Sequence, residues 1–440
     1  MTQDMDMFCA TPGLPEEDKV PLSKRISQSL DKETLADALK DEENDVRLAE
    51  YTDRASKEDV KDFEQPKMTL KNIDQHTNVL TSKAHDSDAW YLTFGNTKKN
   101  LIAVASYDHK LTIWQDGKMF CAPLKGHQGK VSHCAFSLDD KLLASVSFDK
   151  TAMLWSVSSK GTKLLYRLEG HKRRIWYCDF TFDGRFVVTA AGDNTLAIWN
   201  TSNGKMTQRL EGVHTSIVNC CAASPRDSLI ASGSFDKNVV LWSYDRKTGV
   251  KSTTSPRCLK GHTSFVFDVS FSPDGKILAS SSQDRTVRLW DLKTYSCLNV
   301  LTEHNREVMA CRFASQNSNI LVSVSGAKPF GVCRDVSSVK NPKVMYEVLK
   351  DDDDDDGEED VGVGTCVCVS PNGDVVVVGT TSGTLVLVSG MVSGGTNIKR
   401  RFLKGCHDGP VRSCCFSKDM KAFASCSSDG SVALVTDMVL

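Results

Sequence analysis

Apolar and polar positions along this chain fall into short runs. Val131–Ser137, Lys141–Phe148, Thr151–Val157 and Lys163–Leu168 are apolar or β-branched in part. Turn-forming residues separate them: Asp139-Asp140, Asp149-Lys150 and Ser158–Gly161. Runs of this length, bounded this way, predict β-strands. Four of them occupy one unit of about 40–48 residues, and the unit recurs.

The recurrence can be followed residue by residue. His127 is followed 22 positions later by Asp149 and six after that by Trp155. The same spacing returns at His171, Asp193 and Trp199, at His214, Asp236 and Trp242, and at His262, Asp284 and Trp290. An earlier copy, His85, Asp108 and Trp114, has one extra residue in the Asn96–Asn100 loop. A late copy keeps His407 and Asp429 but has Val435 in the Trp slot. Two weaker copies lie between. One begins at His304, with Ala327 in the Asp slot and Cys333 in the Trp slot; the other sets Ser382 and Val388 in those slots. The count is eight units, the sixth and seventh degenerate, with seven blades and an irregular sixth-to-seventh region as the alternative. A four-stranded sheet repeated in this way stacks radially into an all-β propeller.

Gly-His at the start of a unit and Trp-Asp at the close of its third strand give the chain a specific likeness. From about residue 72 to 440 it resembles the WD-repeat family of β-propellers, although Trp290-Asp291 is its one literal Trp-Asp pair. The resemblance implies a buried polar chain in each blade, running from His to a hydroxyl and Asp, and from the hydroxyl to the Trp indole. The hydroxyl stands four residues before the Asp: Ser145, Thr189, Ser232, Ser280 and, in the last copy, Ser425. Four sets are complete by this rule. The first copy has Val104 there, so its network is expected to be broken. A Ser/His/Asp set that returns blade after blade is structural, not a catalytic triad.

The ends are expected to meet. The eighth unit stops after its third strand, and residues near Ile73–Thr81 have no blade of their own. They are expected to supply the missing strand and close the ring.

Charge then changes the picture. The whole chain has a formal net charge of -2. Residues 1–70 hold 18 acids against 10 bases, and Asp351–Asp360 holds nine acids in ten residues. The remainder therefore carries +15. The division is into an acidic N-terminal tail (1–70), partly helical over Ser23–Lys40 or disordered, and a basic propeller (71–440) bearing an acidic loop at 351–360. The N-terminus shows no signal-peptide pattern and no apolar run long enough to cross a membrane. The 16 cysteines form no Cys-x-x-Cys pair and many sit in strand-like runs, which favours reduced, buried thiols and a cytoplasmic or nuclear setting. No metal or cofactor motif is present.

Function is expected at one rim of the ring. In the family, the residues three and five after the His, with the residue before the Asp, surround the top of the central opening. Here they include Trp90, Tyr107, Lys130, Phe148, Arg174, Trp176, Ile217, Phe235, Phe265, Phe267, Met309 and Arg412. Aromatic residues and Arg are the types enriched at binding hot spots. The first expectation is a non-catalytic scaffold, a monomeric propeller within a complex, that holds a protein or peptide segment on this face. The alternative is an RNA- or ribonucleoprotein-associated propeller using its basic surface, with the acidic segments as competitors.

Overall fold

In the computed structural model, residues 66, 69–74, 77–97, 100–250, 255–348, 362–391 and 398–436 are described. The Ser23–Lys40 helix and the Asp351–Asp360 loop expected above lie outside them. The described residues form eight antiparallel sheets. The second blade runs Val131–Phe136, Leu142–Ser147, Ala152–Ser158 and Gly161–Leu168. The first strands of consecutive sheets touch one another all the way round, and the first strand of the eighth sheet, Val411–Phe416, touches that of the first, Ala89–Phe94. The first strands therefore line a central channel and the ring is closed. Eight sheets exclude the seven-bladed alternative.

Ring closure uses the segment upstream of the first repeat. Thr77–Lys83 pairs antiparallel with Ser431–Thr436 and gives the eighth blade its fourth strand. Thr69–Asp74 pairs outside it as a fifth. Closure thus leaves one blade with an extra outer edge, where four strands were expected.

Strands two and three of each blade are mostly apolar because both faces are buried, and the hydroxyls among them, such as Ser145 and Thr112, are buried too. In blade two, Leu143, Met153 and Trp155 pack toward blade one. Ala144, Val146 and Leu154 pack toward blade three, against Ile175, Val187 and Trp199. Alternation along each strand thus serves two cores, one on either side of the sheet.

The polar chain of each blade crosses this apolar layering. In blade two the Trp155 indole donates to Ser145 Oγ at 3.0 Å, and Ser145 Oγ lies 2.9 Å from His127 Nε2. His127 Nδ1 lies 3.0 Å from Asp149, whose carboxylate also accepts the Gln128 and Thr151 backbone N–H groups. An indole only donates and a carboxylate only accepts, so with a neutral imidazole the direction is fixed: indole to hydroxyl, hydroxyl to Nε2, Nδ1–H to carboxylate. The same relay joins His171, Thr189, Asp193 and Trp199. It recurs at His214, Ser232, Asp236 and Trp242 and at His262, Ser280, Asp284 and Trp290. In blade eight, His407 bonds Ser425 and Ser431.

Blades one and six correct the sequence reading. Blade one is not broken at Val104. Thr112, the cross-strand partner of Val104, supplies the hydroxyl: His85 Nε2 and Trp114 Nε1 both reach its Oγ1 at 3.0 Å. In blade six the Trp position belongs to Arg334, not Cys333. Arg334 pairs with Leu321, two residues before the hydroxyl of Ser323, as Trp155 pairs with Leu143 before Ser145. One extra residue between Ala327 and this strand shifts the count. Arg334 is fully buried and donates to Ser323 at 3.1 Å, as an indole does elsewhere, and Glu303 balances its charge. Burial and the neighbouring Arg334 push His304 down to about 4.

These relays make the fold acid-sensitive. Burial raises the carboxyls, but the bonded His rings outweigh it and hold Asp108 and Asp236 down at about 2. Asp149, Asp193 and Asp284 are displaced in the same direction for the same reason. A folded pKa below the unfolded value of about 3.9 gives stability that is present above that value and lost as pH falls through the folded one. Unfolding followed by tryptophan fluorescence should therefore steepen between about pH 4 and pH 2. An Asp149→Asn, Asp193→Asn double variant should be less stable at neutral pH and should show a shallower acid dependence. An unchanged slope would contradict this account.

Candidate functional site

All eight innermost strands share one irregularity. Their pairing register skips a residue, as between Ala89 and Tyr91, Ile175 and Tyr177, or Val266 and Asp268. The skipped residue is the extra member of a β-bulge, which turns its side chain out of the regular ladder. Trp90, Trp176, Phe267, Met309 and Arg412 occupy this position. At three blades a smaller residue there clamps the next blade. Ser132 donates to the Ile175 carbonyl at 2.7 Å, Asn219 to Phe267 at 3.0 Å and Thr365 to Val411 at 2.6 Å.

A second recurring bond brings the other rim residues alongside. The N–H of the residue before the Asp donates to the carbonyl three after the His: Tyr107 to Asp88, Phe148 to Lys130, Gly192 to Arg174, Phe235 to Ile217, Gln283 to Phe265, all at 2.9–3.0 Å. Three residues of each blade thereby meet at one end of the channel.

The rings there form an arc. Trp90 stacks on Tyr107 at 4.6 Å, Tyr107 lies 5.9 Å from Phe148, and Phe148 meets Trp176 edge-on at 4.8 Å. Cations lie over three of these rings: Arg412 over Trp90 at 4.9 Å, Lys130 over Tyr107 at 4.3 Å and Arg174 over Phe148 at 5.1 Å. Asp88 accepts from Arg412 at 3.2 Å. A separate cluster stands on blades four and five, where Phe235 stacks on Phe265 at 4.6 Å with Phe267 edge-on at 6.3 Å. Ile217 is half-buried beside Phe235, and Met309 stands exposed on blade six. The geometry thus gathers Trp90, Tyr107, Lys130, Phe148, Arg174, Trp176 and Arg412 into one arc. Phe235, Phe265 and Phe267 form a second, and Met309 belongs to neither.

Deeper in the channel lies a cluster that the sequence reading missed. His133 sits between Tyr91 and Tyr177, at ring distances of 3.8 and 3.6 Å. Arg312 reaches across to the Tyr177 hydroxyl at 3.2 Å and bonds Asp268. Burial, with Arg312 close by, pushes His133 well below its usual range, so the ring is neutral. Burial likewise raises Asp179, to about 6. Tyr91, His133, Tyr177, Asp179 and Arg312 wall a cavity of about 440 Å³ that ends among the turn residues Asn96, Pro225, Pro273 and Ser315 at the opposite rim. The signal was present: positions six after the His read Tyr91, His133, Tyr177 and Asp268. Among the described residues no group of three His, Cys, Asp or Glu side chains could hold a metal ion, and no helix is long and apolar enough to cross a membrane.

A closed ring of four-stranded blades with His–hydroxyl–Asp–Trp relays and a loop-built rim defines a propeller of the protein-interaction type. The chain belongs to the WD-repeat family: the family described as "WD domain, G-beta repeat" matches residues 119–156, 162–200, 204–243, 253–291 and 399–434. Those stretches cover blades two to five and eight. The unmatched blades are those whose relay is rerouted through Thr112, rebuilt around Arg334, or without its His. Over 184 residues the chain is 30% identical to WD repeat, SAM and U-box domain-containing protein 1 of Danio rerio, covering 40% of this chain and 28% of that protein. It is 35% identical over 91 residues to WD repeat and SOCS box-containing protein 1 of Homo sapiens, 20% of this chain and 19% of that one. It is 51% identical over 130 residues to the U5 small nuclear ribonucleoprotein 40 kDa protein of Mus musculus, 29% of this chain and 36% of that one. The chain thus matches about a third or less of each relative's length.

Proposed function

We propose that this chain is a non-catalytic scaffold that binds a protein or peptide segment across the rim formed by the aromatic arc. The observation that carries this reading is the arc itself: four rings in continuous contact from blade one to blade three, interleaved with Arg412, Lys130 and Arg174. Clustered aromatic and Arg side chains at a surface are what binding hot spots are made of. The similarity to proteins named for a ribonucleoprotein and for a SOCS box supports a role within an assembly, in the nucleus or the cytoplasm.

Truncating a hot-spot ring removes about 2 kcal/mol or more of binding energy. Trp176→Ala combined with Phe267→Ala should therefore abolish partner capture from cell extract, read by quantitative mass spectrometry, with the thermal midpoint retained. Undiminished capture by the folded double variant would remove the rim from consideration.

A second reading follows from the +15 propeller and from the likeness to the ribonucleoprotein component: direct contact with RNA. It requires affinity for polyanions that falls steeply between about 50 and 200 mM salt.

A further inference from the structure

Blade three departs from the rim pattern at one position. The residue before the Asp is Tyr107, Phe148 and Phe235 in blades one, two and four, and Gln283 in blade five. In blade three it is Gly192. Tyr107 covers Trp90 at 4.6 Å, whereas a Cβ on Gly192 would stand 3.5 Å from the Trp176 indole nitrogen and 3.6 Å from Arg173 Cβ. The absent side chain leaves a notch against Trp176, walled by Arg173. Arg173 and Arg174 border it, Lys172 precedes them in the chain, and Lys130 lies over the Tyr107 ring further along the arc; all four side chains are exposed. None of them forms an ion pair among the described residues. The nearby Glu169 is engaged by Arg167, and Asp193 by His171 and Arg209.

We propose that this corner binds an acidic linear peptide, with one aromatic or branched apolar side chain seated in the Gly192 notch against Trp176 and its carboxylates spread over Lys130, Arg173 and Arg174. The proposal rests on the reading of the rim as the binding face and names the partner's chemistry there. Single-stranded nucleic acid needs a succession of open ring faces. Here Trp90 and Tyr107 stack on each other, and the chain's own cations already lie over Trp90, Tyr107 and Phe148. One accessible ring near four cations that bond no carboxylate among the described residues fits a single anchor with acidic neighbours. Charge complementarity of this kind also steers association and is weakened by salt.

The test uses the full chain and short fluorescein-labelled peptides in which one Phe is set among Glu residues, among Gln, or among Lys. A single-stranded oligouridylate runs in parallel. The Glu peptide should bind, the Gln peptide should bind at least about tenfold more weakly, and the Lys peptide should not bind. Gly192→Phe gives blade three the residue that blades two and four carry here, with its Cβ at ordinary contact distance, and Arg174→Glu reverses one exposed charge. Each should weaken the Glu peptide at least about tenfold with the unfolding midpoint unchanged. Equal binding of the Glu and Gln peptides, unaltered affinity in Gly192→Phe, or preference for oligouridylate would each overturn the proposal. Partner capture that disappears in the Trp176→Ala, Phe267→Ala variant but survives Gly192→Phe and Arg174→Glu would leave the binding rim standing and refute the acidic peptide.

Discussion

Replacing Arg312 by alanine is expected to destabilise the propeller by about 3 kcal/mol at neutral pH, the lower end of the range for breaking a buried ion pair. Asp268, its partner, is 4% exposed. The exposed part of the Arg312 side chain, 31%, faces the cavity that it helps to line. The substitution removes the only cation that Asp268 bonds among the described residues and leaves the carboxylate buried beside Tyr177. Burial already raises the Asp268 carboxyl, and Arg312 is the main influence pulling it back. Without Arg312 the folded value rises further. A carboxyl raised on folding stabilises below its unfolded pKa and loses that contribution as pH rises through the folded value. The variant should therefore be closer to wild type near pH 5 than near pH 8, by guanidinium unfolding. Arg312→Met combined with Asp268→Asn should recover most of the loss, since the amide oxygen still accepts from the Cys311 N–H that Asp268 serves at 3.1 Å. A pH-independent loss, or no recovery in the pair, would contradict the account.

Thr112→Val is the second large effect. It preserves shape and removes one oxygen, yet it strips partners from two buried groups: Trp114 Nε1 and His85 Nε2, each 3.0 Å from that oxygen. At about 1–3 kcal/mol for each of the two buried groups left unpaired, the expected loss is about 2–6 kcal/mol. The compensating change follows from register. Val104 faces Thr112 across the strand pair, and position 104 is where other blades carry their hydroxyl. Thr112→Val with Val104→Ser should restore blade one to the arrangement of blade two. Chemical denaturation should place the double variant within about 1 kcal/mol of wild type. A neutral Thr112→Val, or a double variant no better than the single, would show that the relay does not stabilise the blade.

Blade number, strand order and the paired ends were legible because both faces of every blade are buried. That burial writes period and spacing into the chain, as His127, Asp149 and Trp155 show. Position 104 misled because the rule counted along one strand, whereas the physical requirement is a hydroxyl within reach of His85 and Trp114. Either strand of the pair can meet it. Arg334 was hidden by one inserted residue and by being a cation in a slot that elsewhere holds an indole; what the two share is a buried N–H donor. The rim positions were read from the likeness to the family, and the bulge that turns Trp176 or Phe267 out of the ladder leaves no mark in composition. The Arg312–Tyr177 contact joins residues 135 positions apart. No local pattern reports such a pairing, although three large polar rings at one repeat position did signal a crowded channel.

The bulges bear on how such a ring changes over generations. A residue inside the ladder is tied to its cross-strand neighbour and to two packed blade faces, so most exchanges there damage folding. The bulged residue has no ladder partner. Nature has set Trp, Ser, Asn, Phe, Met, Thr and Arg at that one place in successive blades of a single chain. Ser132, Asn219, Thr365 and Arg412 are tied to the next blade, but Trp90, Trp176, Phe267 and Met309 are keys that can be replaced one at a time while the frame stays in tune. On the proposed reading of this rim as the binding face, new specificities there are reachable through single codon changes at those four places that leave the propeller intact.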